Sequence, residues 1–192
     1  AGPRGLCNAG GVGAEAAVAK ERMRVGPGDV GGGRTVGVDP DGAEFVRTRS
    51  RPWKEALDAG IERADQEPHV VRRFGEFTAR LYALEALLAR GTAIIDQAYA
   101  ATEITRDAAA QASLTVAAAK ALAQEFAVEI ASGIFELTGT SGTDSDANLD
   151  RHWRNVRVHS LHDPARWKYV HLGNHTLRGT RPPCTRRPPP RA

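Results

Sequence analysis

The sequence predicts an all-α protein: an antiparallel helical bundle flanked by a glycine-rich N-terminal segment and a proline- and arginine-rich tail. Two long stretches in the middle of the chain repeat apolar residues at three- and four-residue steps, the period of an amphipathic helix. The middle region shows no apolar–polar alternation of the kind that predicts a strand. Glycine is concentrated before residue 43, and proline and arginine after residue 180.

Composition narrows the class of protein. A chain of 192 residues is long enough for one domain with a substantial core. The formal charge of +3 is too small to indicate a nucleic-acid partner. No apolar run reaches the roughly 18–20 residues of a membrane span, and the N-terminus lacks the layout of a signal peptide. Cys7 and Cys184 lie near opposite ends and suggest neither a disulfide framework nor a metal site, which favours a reducing cytoplasm.

Residues 1–42 hold more than half of the 20 glycines and almost no large apolar residue. Glycine at this density costs too much backbone entropy for a stable helix, so we expect a disordered or out-of-frame segment. The glycine clusters at 10–13 and 31–33 superficially resemble phosphate-binding loops. No β-branched strand precedes either cluster, so a dinucleotide motif is the minor alternative. The tail at 181–192 is likewise expected not to pack.

The first long helix is expected to begin at Pro68, with Asp65 as a capping residue before it. Gly91 interrupts this helix at modest cost. Its predicted apolar stripe consists of Val70, Val71, Phe74, Phe77, Leu81, Leu84, Leu88 and Ile95.

A second, alanine-rich helix is predicted over about 105–137. Its expected buried face consists of Leu114, Ala118, Ala121, Leu122, Ile130 and Ile134. Small residues let helices approach closely, so the two long helices should pack antiparallel. Shorter helices are predicted over about 146–161 and 165–172, and residues 43–46 read as the end of an earlier helix.

The segment after the second long helix carries the motifs. It reads Glu136-Leu-Thr-Gly-Thr-Ser-Gly142, then Leu149-Asp-Arg-His-Trp-Arg-Asn-Val-Arg. This order resembles the C-terminal helical domain of the acyl-CoA dehydrogenase superfamily. There, a Gln-x-x-Gly-Gly-x-Gly turn precedes a helix with Arg-Asp-Ala and then a catalytic Tyr-Glu-Gly stretch. Glu136 stands in the Gln position, Arg154 begins the Arg-Asp-Ala match, and His162-Asp163-Pro takes the place of Tyr-Glu-Gly.

The departures from the dehydrogenase pattern resemble one branch, the flavin-dependent monooxygenases on this fold. The run from Asp150 to His162-Asp-Pro resembles the dibenzothiophene monooxygenases and related sulfur-acquisition enzymes. Upstream, Arg47-Thr-Arg-Ser-Arg-Pro-Trp53 is also similar to that branch. The resemblance covers about residues 43–180, which we take as the helical domain.

The resemblance implies an enzyme that binds reduced flavin, most simply FMNH2 with FAD as the alternative, and oxygenates a sulfur or aromatic compound. It also implies a separate flavin reductase as a partner and a homodimer or homotetramer, without nucleic acid, membrane or metal. The implied cofactor-binding residues are Arg51, Arg49, Glu136, Gly139, Thr140, Ser141, Gly142 and Arg154. The implied catalytic residues are His162, Asp163 and His159, of which His162 would hold or donate a proton near neutral pH.

Simpler interpretations stay open for each motif. The arginines of the 150–162 region, including Arg154, could be solvated or paired with Asp150. His159 and His162 could be two ligands of a metal site, or could cap helix carbonyls. Trp153 and Trp167 fit core or interface positions, and the glycine turn could simply terminate a helix.

Two other functions remain alternatives. Asp163 stands where a dehydrogenase keeps the base that removes an α-proton from an acyl thioester, although it is shorter than Glu and is followed by proline. The chain could also be an inactive, truncated bundle with a structural or oligomerisation role. The N-terminal helical and β-barrel domains of the superfamily are not visible in the sequence, and frame changes near residues 43 and 181 would explain the biased ends.

Overall fold

The computed structural model describes residues 40–182. Its α-helices are α1 (Pro40–Thr48), α2 (Lys54–Asp58), α3 (Pro68–Ala100), α4 (Arg106–Thr138), α5 (Asp150–His162) and α6 (Ala165–Arg178). Short 3-10 helices span Ala64–Gln66 and Thr140–Thr143. Since residues 40–182 contain no strand, the all-α prediction is confirmed for them. Both glycine clusters, both cysteines, and the residues 1–39 and 183–192 lie outside the described part of the chain.

The helix ends differ from the sequence prediction in three places. α1 is a complete helix from Pro40, longer than the predicted remnant at 43–46. α5 begins at Asp150 rather than near 146, because a turn with Asn148 at φ 47° precedes it. α6 continues to Arg178, six residues beyond the predicted end. Within residues 40–182, no helix is long and apolar enough to span a membrane.

The predicted cap of α3 is wrong. Asp65 lies within the 3-10 helix at Ala64–Gln66, and its carboxylate accepts hydrogen bonds from Arg63 at 2.6 and 2.9 Å. Glu67 is the residue that precedes α3, and its carboxylate lies 3.4 Å from the backbone nitrogen of Trp53. The local Arg63 partner, two residues away, therefore takes the carboxylate that the sequence assigned to the helix end.

The described chain divides into two compact units. The first unit comprises residues 40–83 and 123–164, and the second comprises 84–122 and 165–182. Since α3 and α4 are continuous helices, each contributes one half to each unit.

The core of the first unit lies between α1 and the facing halves of α3 and α4. It consists of Val46, Ala64, Val70, Phe77, Ile130, Ile134 and Leu137. Ion pairs join Arg73 to Glu136 and Arg80 to Glu129, so the helices run antiparallel as predicted. The two helices are in close contact at Gly133, where a Cβ atom would lie 2.6 Å from Cζ of Phe77. Val71 is wrong as a core prediction, since it is 55% exposed.

The second unit repeats the antiparallel arrangement. A Cβ atom on the buried Gly91 would lie 3.8 Å from the Cγ2 atoms of Thr115 and Val116. Gly91 is therefore accommodated within α3 at a close helix contact. Asp107, in the first turn of α4, pairs with Arg181 at 2.5 Å and so holds the chain that follows α6.

Candidate functional site

The glycine turn at 139–142 continues directly from the last turn of α4. Gly139 has φ 64° and ψ −163°, and its N–H donates to the carbonyl of Phe135 at 3.0 Å. Gly142 is buried against Thr138, and a Cβ atom there would overlap the threonine side chain. Both positions therefore require glycine, one for its backbone angle and one for space. Thr140 and Ser141, between them, are exposed.

The basic segment after α1 lies beside this turn. The hydroxyl oxygen of Ser50 is 3.4 Å from the carbonyl oxygen of Leu137, in the last turn of α4. Ser50 is flanked by Arg49 and Arg51, which are both exposed. The guanidinium of Arg49 lies 5.6 Å from the ring centroid of Phe45. The structure thus brings together two sets of predicted residues that are more than 85 positions apart.

Glu136 belongs to a polar cluster that sequence reasoning missed. One carboxylate oxygen is 2.9 Å from Nε2 of His69. The other accepts from Nε and Nη2 of Arg73 at 3.2 and 3.0 Å. The Arg73 guanidinium is largely buried, lies 4.8 Å from the ring centroid of Phe77, and also donates to Glu76 at 2.6 Å. A sequence signal exists only for the local pairing of Arg73 with Glu76, at three-residue spacing.

The charges in this polar cluster shift the pKa values of two of its side chains, Glu76 and Arg73. The hydrogen bond from Arg73 holds the pKa of Glu76 below its ordinary value, with the nearby charges of Arg72, Arg73 and Arg80 acting in the same direction. The same bond raises the pKa of Arg73, helped by Glu136. Both partners therefore stay ionised at neutral pH.

The first turns of α5 are tied to α1 and α4. Asp41 of α1 accepts hydrogen bonds from Arg151 and from Nε2 of His152, the latter at 2.9 Å. Trp153 is 38% exposed, and its indole N–H donates to Ser132 at 3.1 Å. These contacts fix the start of the helix that ends at the predicted catalytic residues.

Arg154 lies on the exposed side of α5 and pairs with Asp150 at 2.8 Å. The simpler interpretation of this arginine, a pair with Asp150 at four-residue spacing, therefore describes its geometry in this chain. Arg151, by contrast, pairs with Asp41 of α1, which is 110 positions away in the sequence.

The predicted catalytic residues lie at the end of α5. His159 and His162 are exposed in its last turn, and Asp163 is the C-cap. The backbone oxygen of Asp163 accepts a hydrogen bond at 2.9 Å from Nε2 of Gln124, a buried residue of α4. Among residues 40–182, no group of three or more His, Cys, Asp or Glu side chains is placed to hold a metal ion.

The predicted residues thus form two separate clusters on the first unit. The first cluster is the 139–142 glycine turn with Arg49 and Arg51, and the second cluster is His159, His162 and Asp163 at the end of α5. Gln124 and Thr138 belong to the same continuous helix, α4, fourteen residues apart. At 1.5 Å per residue this is about 20 Å. The His162–Asp163 end and the glycine turn with Arg49 and Arg51 therefore lie at opposite ends of this stretch of α4.

Comparison with known proteins identifies the fold family. The sequence model of the family "Acyl-CoA dehydrogenase, C-terminal domain" matches residues 40–167 of this chain. The chain belongs to this family. As an acyl-CoA dehydrogenase C-terminal domain, it combines the antiparallel α3 and α4 with the glycine turn and α5 that the motifs predicted, so the family resemblance is confirmed.

Individual relatives belong to the monooxygenase branch. The chain is 38% identical over 140 residues to dibenzothiophene monooxygenase of Rhodococcus erythropolis, covering 72% of this chain and 33% of the relative. It is 31% identical over 147 residues to the probable FMNH2-dependent monooxygenase SfnC of Pseudomonas putida, covering 76% and 36%. The crystal structure of TdsC of Paenibacillus sp. A11-2 with FMN and indole superposes with a TM-score of 0.71 at 31% identity, again covering 76% and 36%. The chain therefore spans about a third of the length of these relatives.

Proposed function

We propose that this chain supplies the C-terminal helical domain of a flavin-dependent monooxygenase, which uses reduced FMN and oxygen to oxygenate a small sulfur or aromatic compound. One observation carries the proposal: 76% of the chain superposes on TdsC, whose structure holds FMN, and the family match spans residues 40–167. The match includes the glycine turn, the basic segment and α5. FAD is the alternative cofactor.

The residues of the first cluster fit a flavin phosphate. A phosphate needs positive charge and hydrogen-bond donors, and planar guanidinium groups meet both needs. Arg49 and Arg51 are exposed beside the turn, and Thr140 and Ser141 present hydroxyl and backbone N–H groups there. Glu136 and Arg154 were also assigned to this role; each is paired within the chain, so we give the direct contacts to Arg49, Arg51 and the turn.

The second cluster fits proton chemistry. His162 is exposed at the end of α5, and an imidazole can hold or release a proton near neutral pH. His159 lies one turn earlier on the same helix, and Asp163 follows, with its backbone held by Gln124. Bound reduced flavin would supply the electrons that activate oxygen, and His162 would hold the proton that the reaction needs beside it.

Self-association is implied by the family resemblance. In the superfamily that the chain resembles, the glycine turn reaches the cofactor of a neighbouring subunit, and the separation of the two clusters by about 20 Å of helix is compatible with that arrangement. We therefore propose a homodimer or homotetramer in which the turn of one copy serves the flavin beside His162 of another. A separate flavin reductase and a cytoplasmic location complete the proposal.

Flavin binding by the full 192-residue chain tests the first cluster. FMN fluorescence is titrated with the wild type, Arg51→Ala and, as a matched control, Lys54→Ala, an exposed cation three residues away. Loss of one charged hydrogen bond should weaken binding by about tenfold or more in Arg51→Ala only. Equal affinity in all three proteins would overturn the assignment of Arg51.

Oxygen chemistry separates the candidate activities. The chain is supplied with FMN, a flavin reductase, NADH and dibenzothiophene, and the oxygenated product is measured by mass spectrometry. Product formation supports the monooxygenase. The dehydrogenase alternative predicts instead that acyl-CoA reduces bound FAD without oxygen; the family name and the position of Asp163 motivate it, whereas the short Asp side chain and the proline after it count against it. A chain that self-associates but binds no flavin would support the third alternative, an inactive bundle with a structural or oligomerisation role.

A further inference from the structure

Glu136 stands where electrostatics disfavours a carboxylate. It lies in the last turn of α4, where the helix dipole and the unsatisfied carbonyls present partial negative charge. A lone glutamate there would loosen the last turn. Both of its oxygens are engaged, one by His69 at 2.9 Å and the other by Arg73 at 3.0 and 3.2 Å. The two side chains of α3 therefore offset the unfavourable position.

Arg73 is itself held in place. Its side chain is only 16% exposed and is stacked over Phe77. A Cβ atom on Gly133 would lie 3.1 Å from its Nη2, so the guanidinium occupies space that any other residue at 133 would restrict. A second carboxylate, Glu76, accepts from Nη1 at 2.6 Å. The guanidinium therefore has little freedom to move away from Glu136.

The last turn of α4 contacts both the 139–142 turn and the segment from Arg49 to Arg51. Gly139 follows Glu136 by three residues and donates to the carbonyl of Phe135. Gly142 packs on Thr138, whose hydroxyl donates to Ile134 at 3.0 Å. Leu137 offers its carbonyl to Ser50, between Arg49 and Arg51. Whatever fixes this turn of helix fixes the proposed phosphate contacts.

We infer that Arg73 is a positioning residue: through Glu136 it fixes the last turn of α4, and Glu136 acts on the 139–142 turn rather than on the flavin. The inference rests on the proposed function for its effect on flavin, but its effect on the turn does not. The family resemblance implies that Glu136 binds the cofactor. The paired carboxylate gives it this indirect role instead.

The chain contains a matched control for this inference. Arg80 pairs with Glu129 at 2.8 Å and lies 5.9 Å from the ring centroid of Phe126. This pair joins the same two helices with the same chemistry, but Glu129 is seven residues from Glu136, about 10 Å along the helix. Its loss should cost comparable stability without moving the turn.

Amide hydrogen exchange decides the positioning role without any flavin. It is measured at Gly139 and Gly142 in the full-length Arg73→Gln, Glu136→Gln, Arg80→Gln and Glu129→Gln variants. We expect exchange at both glycine amides to accelerate about tenfold in the first two variants and to stay unchanged in the last two. Equal acceleration in all four, or in none, would overturn the inference. Arg73→Lys serves if Arg73→Gln fails to fold, and should show a smaller acceleration because it lacks the planar fork.

Flavin titration then tests the route from Arg73 to the cofactor. If Glu136 acts through the turn, Arg73→Gln, Glu136→Gln and the Arg73→Gln/Glu136→Gln double variant should weaken FMN binding by the same factor, about tenfold, and the Arg80→Gln and Glu129→Gln controls should not. A loss in Glu136→Gln that Arg73→Gln does not share would show direct contact and overturn the inference. If the wild type binds no FMN, the proposed function fails, while the exchange result still stands on its own.

Discussion

Gln124 donates a hydrogen bond from its buried side chain to the backbone oxygen of Asp163, at 2.9 Å. This single contact joins the middle of α4 to the point where α5 ends. It therefore determines where the chain places His162 and Asp163. The bond also satisfies a carbonyl at a helix terminus, which has no partner within its own helix.

Replacement of Gln124 by alanine should lower the free energy of unfolding by about 1–3 kcal/mol, because a part-buried carbonyl loses its partner and a cavity remains. Thermal and urea denaturation measure the change. Glu125→Ala, at the exposed neighbouring position, is the control and should stay within about 0.5 kcal/mol. Equal stability of both variants would mean that Gln124 does not anchor the end of α5.

Gly133→Ala should destabilise the first unit by about 1–3 kcal/mol, because its Cβ atom would lie 2.6 Å from Cζ of Phe77. Gly75→Ala is the matched control on α3, since a Cβ atom there meets nothing within 4 Å. Alanine has the higher helix propensity, so Gly75→Ala should stabilise by up to about 1 kcal/mol. Opposite signs in the two denaturation experiments confirm the close contact, and two stabilised variants would contradict it.

Acid should destabilise the first unit partly through Glu76. The pKa of this carboxyl is lowered in the folded state by Arg73, so its contribution is fully present above the unfolded pKa near 4.5. It is lost as the pH falls through the lower, folded pKa. Stability measured between about pH 5 and pH 2 should therefore fall less steeply in Glu76→Gln than in the wild type. Identical slopes would show that the pair with Arg73 does not form in solution.

Gly139→Ala should separate the shape of the turn from general stability. A side chain at φ 64° and ψ −163°, a conformation that essentially only glycine adopts, costs about 1–3 kcal/mol, and the turn must move to relieve it. Gly60→Ala is the control, because Gly60 also has a positive φ of 81° and open space for a Cβ atom, but follows α2. Both variants should lose similar stability, while only Gly139→Ala should weaken FMN binding. A matching loss of affinity in Gly60→Ala would point to global loosening.

The sequence predicted the helices well because their signals are local. The apolar period placed α3 and α4 to within a few residues, and Pro68 marked the start of α3. The errors occur where the packing or pairing of a side chain differs from what its sequence pattern predicts. Val71 belongs to the period but faces solvent, and Asp65 has the right chemistry for a cap but pairs with Arg63.

The proposed site was predictable only as a set of residues. Motif order identified the glycine turn, Arg49, Arg51 and the end of α5, but no spacing indicates which of them meet. Ser50 approaches Leu137 across 87 positions, and Glu136 meets His69 and Arg73 across 67 and 63. Asp41 lies in a segment expected to be unstructured, yet it joins Arg151 and His152. Such contacts depend on how helices pack, which is not encoded in any short stretch.

The length of helix between Gln124 and Thr138 has a genetic consequence under the proposed self-association. If each copy gives its glycine turn to one flavin and its histidine end to another, every reaction centre is built from two gene products. A copy damaged at one end then spoils one centre and keeps the other, whereas a copy damaged at both ends spoils two. Two differently damaged copies, one altered at Gly139 and one at His162, would restore an intact centre when they are produced together.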